Sequence, residues 1–394
     1  MADHVPVPAR GTRPRNRREL ILAAAVDLFT KHGYHQVAMS DLAAAVGIGP
    51  SALYRHFSGK EDVLANAVEY GLRPALDLVG TLAGADPDET AGALAALTLD
   101  RRYLGLLWQR EARDLGTGAH RRLREMIREL GAGLANHARS VRPGLDGRAA
   151  DLLAWSVLSV LASPSFHHLD LPRPEHERLI AELVTTVLET EIRLPPAVPA
   201  GEPRPPLVPA SRREELLGRA IPMFAAHGYA KVGIEDIGNA AGITGPSVYN
   251  HWPTKLDLLV TALQRGAAGL AMDVSTSYRV ATGAADALRR LVTSYVAHSH
   301  THPEIFGLLI TEMDHLPEDE LHLARRAQHD YVSEWTHLLR LTRPALDPVA
   351  ARIRVHAALS VAHDTARTPH LRLDPGIAVA VETLCGRLLT LPPG

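Results

Sequence analysis

A single cysteine, Cys385, stands among the 394 residues, so no internal disulfide can form, and its apolar neighbours mark it as a small buried hydrophobe. A fold that does not depend on oxidation is expected in the cytoplasm. Charge of one sign is also lacking: 42 basic residues face 44 acidic ones, a formal net charge of −2, which excludes a wholly basic nucleic-acid coat and leaves any electrostatic footprint to local patches. Arg10, Arg13, Arg15, Arg17 and Arg18 precede the first helical segment with no apolar stretch among them, so no secretory leader is expected. The longest apolar run, Leu152 to Ala162, is shorter than the ~20 residues that cross a bilayer, so no membrane partner is expected. Also missing are a phosphate-binding glycine loop, a nucleophile elbow and a cluster of acids with histidines. No enzymatic activity, catalytic residue or cofactor is therefore expected. His298-x-His300-x-His302 comes nearest to a metal site, but only His298 and His302 share a helical face and no clear carboxylate or cysteine completes the set, so no metal is expected.

What the chain does have is repetition. Residues 17–67 align with 212–262 at a constant offset of 195 with no gap, and 20 of the 51 positions are identical. His32-Gly33-Tyr34 returns as His227-Gly228-Tyr229, Gly47-Ile48 as Gly242-Ile243, Tyr54-x-His56 as Tyr249-x-His251, and Lys60-x-Asp62 as Lys255-x-Asp257. Further on, Arg142-Pro143-x-Leu145-Asp146 reappears as Arg343-Pro344-x-Leu346-Asp347, the offset having drifted to 201. Each half has roughly 195 residues, enough for a helical domain with its own core.

Helical periodicity dominates both halves, and no alternating strand pattern is convincing, so the expected fold class is all-α. In the first copy, Leu20, Ile21, Ala24, Ala25, Leu28 and Phe29 space a helix that stops at Gly33. Ser40 suits the N-cap of a short helix over 41–46, Gly47 supplies a turn, and Pro50 suits the start of a third helix ending at Phe57. That is a helix-turn-helix pattern. The second copy repeats it, with Thr244 a better cap than its counterpart Gly49, and with Pro222 expected to kink its first helix. The first body is expected to be helical over 62–83, 90–112, 119–140, 148–163 and 174–192, and the second correspondingly. Between the halves, 194–210 holds seven prolines and reads as an extended polyproline-like spacer reaching about 50 Å at ~3.1 Å per residue.

The constellation Phe29, Gly33-Tyr34, Gly47, Tyr54-x-His56-Phe57 and Lys60, duplicated with Trp252 in place of Phe57, resembles the TetR/AcrR family of bacterial transcriptional repressors. The likeness is close over 17–64 and 212–259 and holds only in outline over the bodies. It implies two tandem modules, each a three-helix DNA-binding head on a larger body with a ligand pocket that pairs through its last two helices. The implied layout is a basic disordered arm, 1–16; a first head, 17–62, and body, 63–193; the Pro-rich linker, 194–210; and a second head, 211–257, and body, 258–394.

Major-groove readout needs short or polar side chains at the start of the recognition helix, flanked by phosphate donors. In the first head Pro50, Ser51, Ala52 and Arg55 fit the bases, and Tyr54, His56 and Lys60 the phosphates, with Arg15 and Arg17 reaching the backbone from the arm. By resemblance, Ser40 can also touch a base. In the second head Thr244, Gly245, Pro246, Ser247 and Asn250 fit the bases, and Tyr249, His251, Lys255 and Arg212 the phosphates. Arginine favours guanine and asparagine adenine, so the heads are expected to read different half-sites. Eight basic residues oppose five acidic ones over 10–62, a net +3, against five and five over the aligned 205–257, so the first head is expected to bind more strongly.

Two bodies in one chain can pair with each other as an intramolecular pseudo-dimer, placing two recognition helices one DNA turn apart and leaving further self-association open. The expected interface sets Leu152, Leu153, Trp155, Leu158, Leu161, Leu179, Leu183 and Val187 against Ile353, Leu359, Val361, Ile377, Val381, Leu384 and Leu388. The alternative is that these stripes serve each half's own core. A largely apolar small-molecule effector is expected from the resemblance, with Tyr103, Leu107, Trp108 and Glu111 lining the first pocket and Tyr295, Phe306, Ile310 and Glu312 the second. The functional expectation is a ligand-responsive repressor on an asymmetric double-stranded operator. The rival reading is a ligand-sensing or protein-binding helical scaffold with one or both heads inactive.

Overall fold

A computed structural model describes residues 17–82, 85–196 and 207–391, and among them every regular element is a helix. The basic arm, with Arg15, and most of the Pro-rich spacer lie outside the described residues. The first half contributes α1 (Arg17–His32), α2 (Met39–Ala45), α3 (Pro50–Leu53), α4 (Lys60–Gly80), α5 (Pro87–Asp100), α6 (Leu104–Gln109), α7 (Thr117–Val141), α8 (Gly147–Ala162) and α9 (Arg173–Glu189). The second contributes α10 (Arg212–His227), α11 (Ile234–Ala240), α12 (Gly245–Val248), α13 (Lys255–Val280), α14 (Ala284–Thr301), α15 (Pro303–Thr311), α16 (Glu318–Thr342), α17 (Pro348–Arg367), α18 (Pro369–Arg372) and α19 (Ile377–Leu388).

The heads form because each short helix buries one apolar stripe. In α1 the stripe is Ile21, Leu22, Ala25, Val26 and Phe29, closed by Leu42, Leu53 and Phe57; in the second head it is Leu216, Leu217, Ala220 and Phe224, closed by Ile237, Val248 and Trp252. Gly47 and Gly242 sit at φ +66° and +69°, the left-handed region that the turn between the two short helices demands. Ser40 is not the cap of α2: that helix starts two residues earlier, at Met39, with Ala38 at its N-cap, and Asp41 satisfies the end by accepting the Ala38 N–H at 2.8 Å. Thr244 does occupy the N-cap position of α12, yet its hydroxyl meets the Ser247 hydroxyl at 2.8 Å instead of the backbone. Helix α10 runs on through Pro222, whose ring lies on the exposed face, where water can serve the Gly218 carbonyl that loses its donor. The segment read as one helix over 90–112 is two, broken at 101–103.

The described residues fall into two compact units that do not divide at the spacer. One holds those up to Leu145 together with Leu161–His168; the other holds Asp146–Val160 and those from Leu169 onward. In the first unit, α4 packs along α7 and against α1, carrying the first head on the body. In the second unit, α9 packs against α17 and α19, and Leu152, Leu153, Leu183 and Val187 are fully buried, as are Ile353, Val361, Val381, Leu384 and Leu388. Trp155 of α8 meets His370 of α18 edge-on with ring centroids 5.5 Å apart. Polar ties join the same helices: Arg354 Nη2 donates to Glu182 Oε1 at 2.5 Å, Arg148 Nε to Asp374 Oδ2 at 2.6 Å, and His370 Nε2 lies 2.9 Å from Asp151 Oδ2. Cys385 is buried and donates to the Ala358 carbonyl at 3.3 Å, and burial pushes its thiol pKa well up. Gly147–Phe166 is the one segment among the described residues long and apolar enough to cross a membrane by length and composition, and most of it is buried inside the protein.

Candidate nucleic-acid interface

The recognition segments begin at Pro50 and at Gly245, where a proline in the first turn presets φ and forfeits an N–H that has no partner there anyway. Pro50, Ser51, Tyr54, Arg55 and His56 are exposed and Ala52 is half-buried; Pro246, Tyr249 and Asn250 are exposed, and Ser247 and His251 are half-buried. Tyr54 and Tyr249 are each 54% exposed, which is more than ring packing alone requires. Ser40 and Thr244 are exposed beside these segments. Gly245, expected to face the bases, is instead buried against the Glu235 side chain, because α11 and α12 approach too closely at that point for it to face outward.

Lys60 and Lys255 have work within the heads themselves. Lys60 Nζ donates to the Tyr34 carbonyl at 2.9 Å and lies 4.3 Å from the centre of the Tyr34 ring. Lys255 Nζ does the same with Tyr229, at 2.9 Å and 4.2 Å, and also donates to the Val232 carbonyl at 3.0 Å; burial lowers its ammonium pKa. An ammonium has three protons. Each lysine thus stitches the end of its first helix to the start of the helix leading into the body. The helix starts are set by Asp62, which accepts the Ser58 N–H at 2.9 Å, and by Asp257, which accepts the Thr254 N–H at 2.8 Å while the Thr254 hydroxyl accepts in return.

The other terminal basic residues are similarly engaged. Arg212 Nη1 donates to the Ala241 carbonyl at 3.0 Å and to Glu215 at 2.6 Å. Replacing Phe57 by Trp252 deepens this anchoring in the second head: the indole N–H donates to the Arg213 carbonyl at 3.1 Å, and the Arg213 guanidinium lies 3.6 Å from the ring centre. Its first-head counterpart, Arg18, lies 5.2 Å from the Phe57 ring. Arg17 is half-buried at the start of α1.

The residues read as pocket lining do not gather at one place in the first body. Tyr103 lies over Gly71 of α4, with burial raising its pKa; Leu107 is fully buried, and the Trp108 ring meets that of His120 of α7 at a 39° tilt, centroids 5.6 Å apart. Glu111 is turned to the head, its Oε2 accepting the Tyr34 N–H at 2.9 Å. Glu312, fully buried, accepts the Tyr229 N–H at 3.2 Å. The two carboxylates therefore face the turn after the first helix of each head, where a partly buried peptide N–H takes them as its acceptor.

In the second body Tyr295 and Phe306 do meet, edge to face at 5.1 Å, while Ile310 is half-buried near the end of α15. Around them stand residues that sequence reasoning missed. Tyr331 stacks on Tyr295 at 6.0 Å, Trp335 meets it edge-on at 5.8 Å, and His363 Nδ1 lies 3.2 Å from the Tyr295 hydroxyl. The Tyr331 hydroxyl and the Trp335 indole N–H lie buried near one another with no well-aligned partner. The i,i+4 spacing of Tyr331 and Trp335 on α16 is the signal that could have found them. Burial holds His363 and, on the next turns of α17, His356 below the usual imidazole range, His356 at about 4. His298 Nε2 pairs with Asp273 at 2.7 Å and His300 Nδ1 with the Val296 carbonyl at 3.0 Å.

Comparison with known proteins follows the repeat. The family profile described as bacterial regulatory proteins, tetR family, matches twice, at residues 21–67 and 216–262. The transcriptional activator FasR of Mycolicibacterium smegmatis is 26% identical over 156 residues, 40% of this chain and 71% of that protein. The transcriptional repressor KstR2 of Rhodococcus jostii is 29% identical over 195 residues, 46% of this chain and 89% of that protein. The crystal structure of Mycobacterium smegmatis AmtR is 30% identical, with a TM-score of 0.37, and covers 47% of this chain and 91% of its own. FasR and KstR2 thus each correspond to less than half of this chain, and the matched motif occurs once in each half. The chain belongs to the TetR family of helix-turn-helix DNA-binding transcriptional regulators, with two modules of that family in tandem.

Proposed function

We propose that the chain is a ligand-responsive repressor whose two halves pair with each other as an intramolecular pseudo-dimer on an asymmetric operator in the cytoplasm. The observation that carries this reading is the association, within one compact unit, of α9 from the first half with α17 and α19 from the second, with α8 tied to the same unit through His370 and Asp374. Those are the last long helices of each body. Pairing them would give one polypeptide the two recognition segments that a palindrome reader draws from two chains.

The two segments differ in the side chains offered to bases, Arg55 against Asn250, and in local charge, net +3 against 0. Ser51, Tyr54, His56 and Lys60 would serve the stronger half-site; Ser247, Tyr249, His251 and Lys255 the weaker. The effector reading is supported by the aromatic cluster of Tyr295, Phe306, Tyr331 and Trp335, whose buried and poorly partnered polar atoms suit an apolar molecule carrying one hydrogen-bonding group. Selection of bound duplexes from a random pool tests the proposal. It expects two unlike half-sites centred about 10–10.5 base pairs apart. A palindromic preferred site, or no duplex retained at moderate ionic strength, overturns it.

A further inference from the structure

The polar ties that join the two sets of terminal helices do not survive exchange of the halves. The bodies correspond at an offset of 201: α7 (Thr117–Val141) with α16 (Glu318–Thr342), and the start of α8 at Gly147 with that of α17 at Pro348. Carried across, Arg354 with Glu182 becomes Leu153 with Thr383, Arg148 with Asp374 becomes Val349 with Arg173, and His370 with Asp151 becomes Leu169 with Arg352. None of the transposed pairs joins opposite charges.

The same arithmetic shows what like halves would meet in this arrangement. Two second halves would set the Arg354 guanidinium, whose side chain is only 5% exposed, against Thr383, and Arg352 against His370. Arg354 would keep the Leu388 carbonyl at 3.2 Å but lose its carboxylate, a buried charge left unpaired. Two first halves would set Arg148 against Arg173. The apolar residues between these ties, fully buried leucines and valines on both sides, do not discriminate between like and unlike partners. The charges do.

We infer that this surface is selective for the unlike half of the same chain and rejects a second copy of either half, with Arg354 and Glu182 as its principal discriminating pair. The inference rests on the pseudo-dimer reading. It makes the full-length chain a closed monomer in which neither half exchanges with a neighbouring molecule.

Light scattering on full-length protein across a hundredfold concentration range tests it, alongside Glu182→Arg, Arg354→Glu and the double reversal. The unmodified chain is expected to be monomeric. Glu182→Arg places a second guanidinium against Arg354 and is expected to raise the self-associated fraction at least about tenfold and lower Tm. The double reversal is expected to regain the monomer and most of the Tm, and Glu182→Gln to lie between. Glu182→Arg remaining monomeric with unchanged Tm, or a double variant no better than its singles combined, overturns selectivity. Should Glu182→Arg fail to fold, the Glu182→Gln and double-reversal results decide. A cysteine pair at Asp151 and His370, joined by a short bismaleimide in full-length protein bearing a protease site in the spacer, separates this from the underlying reading. Halves held together after cleavage leave only selectivity at stake; halves that fall apart overturn the pairing itself.

Discussion

The carboxylate of Glu312 accepts the backbone N–H of Tyr229 at 3.2 Å, while Lys255 donates to that residue's carbonyl at 2.9 Å. Glu111, Tyr34 and Lys60 repeat the clamp in the first half at 2.9 Å for both bonds. A body residue and the first residue of α4 or α13 thus hold the backbone N–H and the carbonyl of one head residue. Glu312→Ala leaves a partly buried N–H without its acceptor and is expected to cost about 1–3 kcal/mol. Denaturant unfolding reads the loss, and amide exchange at Tyr229 is expected to quicken.

Lys60→Ala is expected to weaken binding uniformly across duplex sequences, because its ammonium charge attracts phosphate whatever the base sequence. The slope of log affinity against log salt is expected to fall by about one. A lysine confined to stitching the turn would leave that slope unchanged while lowering Tm.

Arg55→Ala is expected to relax base preference in one half-site and Asn250→Ala in the other, each by about 1–3 kcal/mol of discrimination at a single position. Competition binding with duplexes altered one base pair at a time reads both. Loss of preference in both half-sites from either substitution contradicts separate reading heads.

Burial first, then Arg352 and His363, depresses the folded-state pKa of His356 to about 4, against about 6.5 unfolded. His363 and His300 shift in the same direction, again chiefly through burial. The unfolded chain therefore takes up protons first as pH falls. The stability due to His356 is complete above pH about 6.5 and is lost as pH drops towards 4, on the order of 3 kcal/mol. Tm measured between pH 7 and 4.5 is expected to fall, and His356→Gln to flatten that fall.

Much of this was legible before any coordinates, because the duplication sets each feature beside its own copy. The helix-turn-helix, its turn glycines and the exposed Tyr54 and Tyr249 follow from local rules of periodicity and backbone conformation. Ser40 misled because Asp41 can satisfy the same helix end from one residue further in, and propensity alone does not choose between them. Glu111 and Glu312 were read as pocket lining because an acid near the end of an apolar helix looks the same whether it faces a ligand or a peptide N–H across about 80 residues of chain. The aromatic cluster is half legible: Tyr295 and Phe306 stand out, and the i,i+4 spacing of Tyr331 and Trp335 puts those two on one face of α16, while the approach of α16 and of His363 on α17 to Tyr295 follows from no local pattern.

The membership of α8 and α9 in the second unit has a consequence for biosynthesis. These helices leave the ribosome about 160 residues before α17, which at roughly 5–20 residues per second is an interval of about 8–30 s. Throughout that delay Leu152, Leu183 and Val187 lack the side chains that will later enclose them, and the nascent protein presents a greasy seam to its surroundings. Slowing translation in the second half should therefore increase the demand for chaperones.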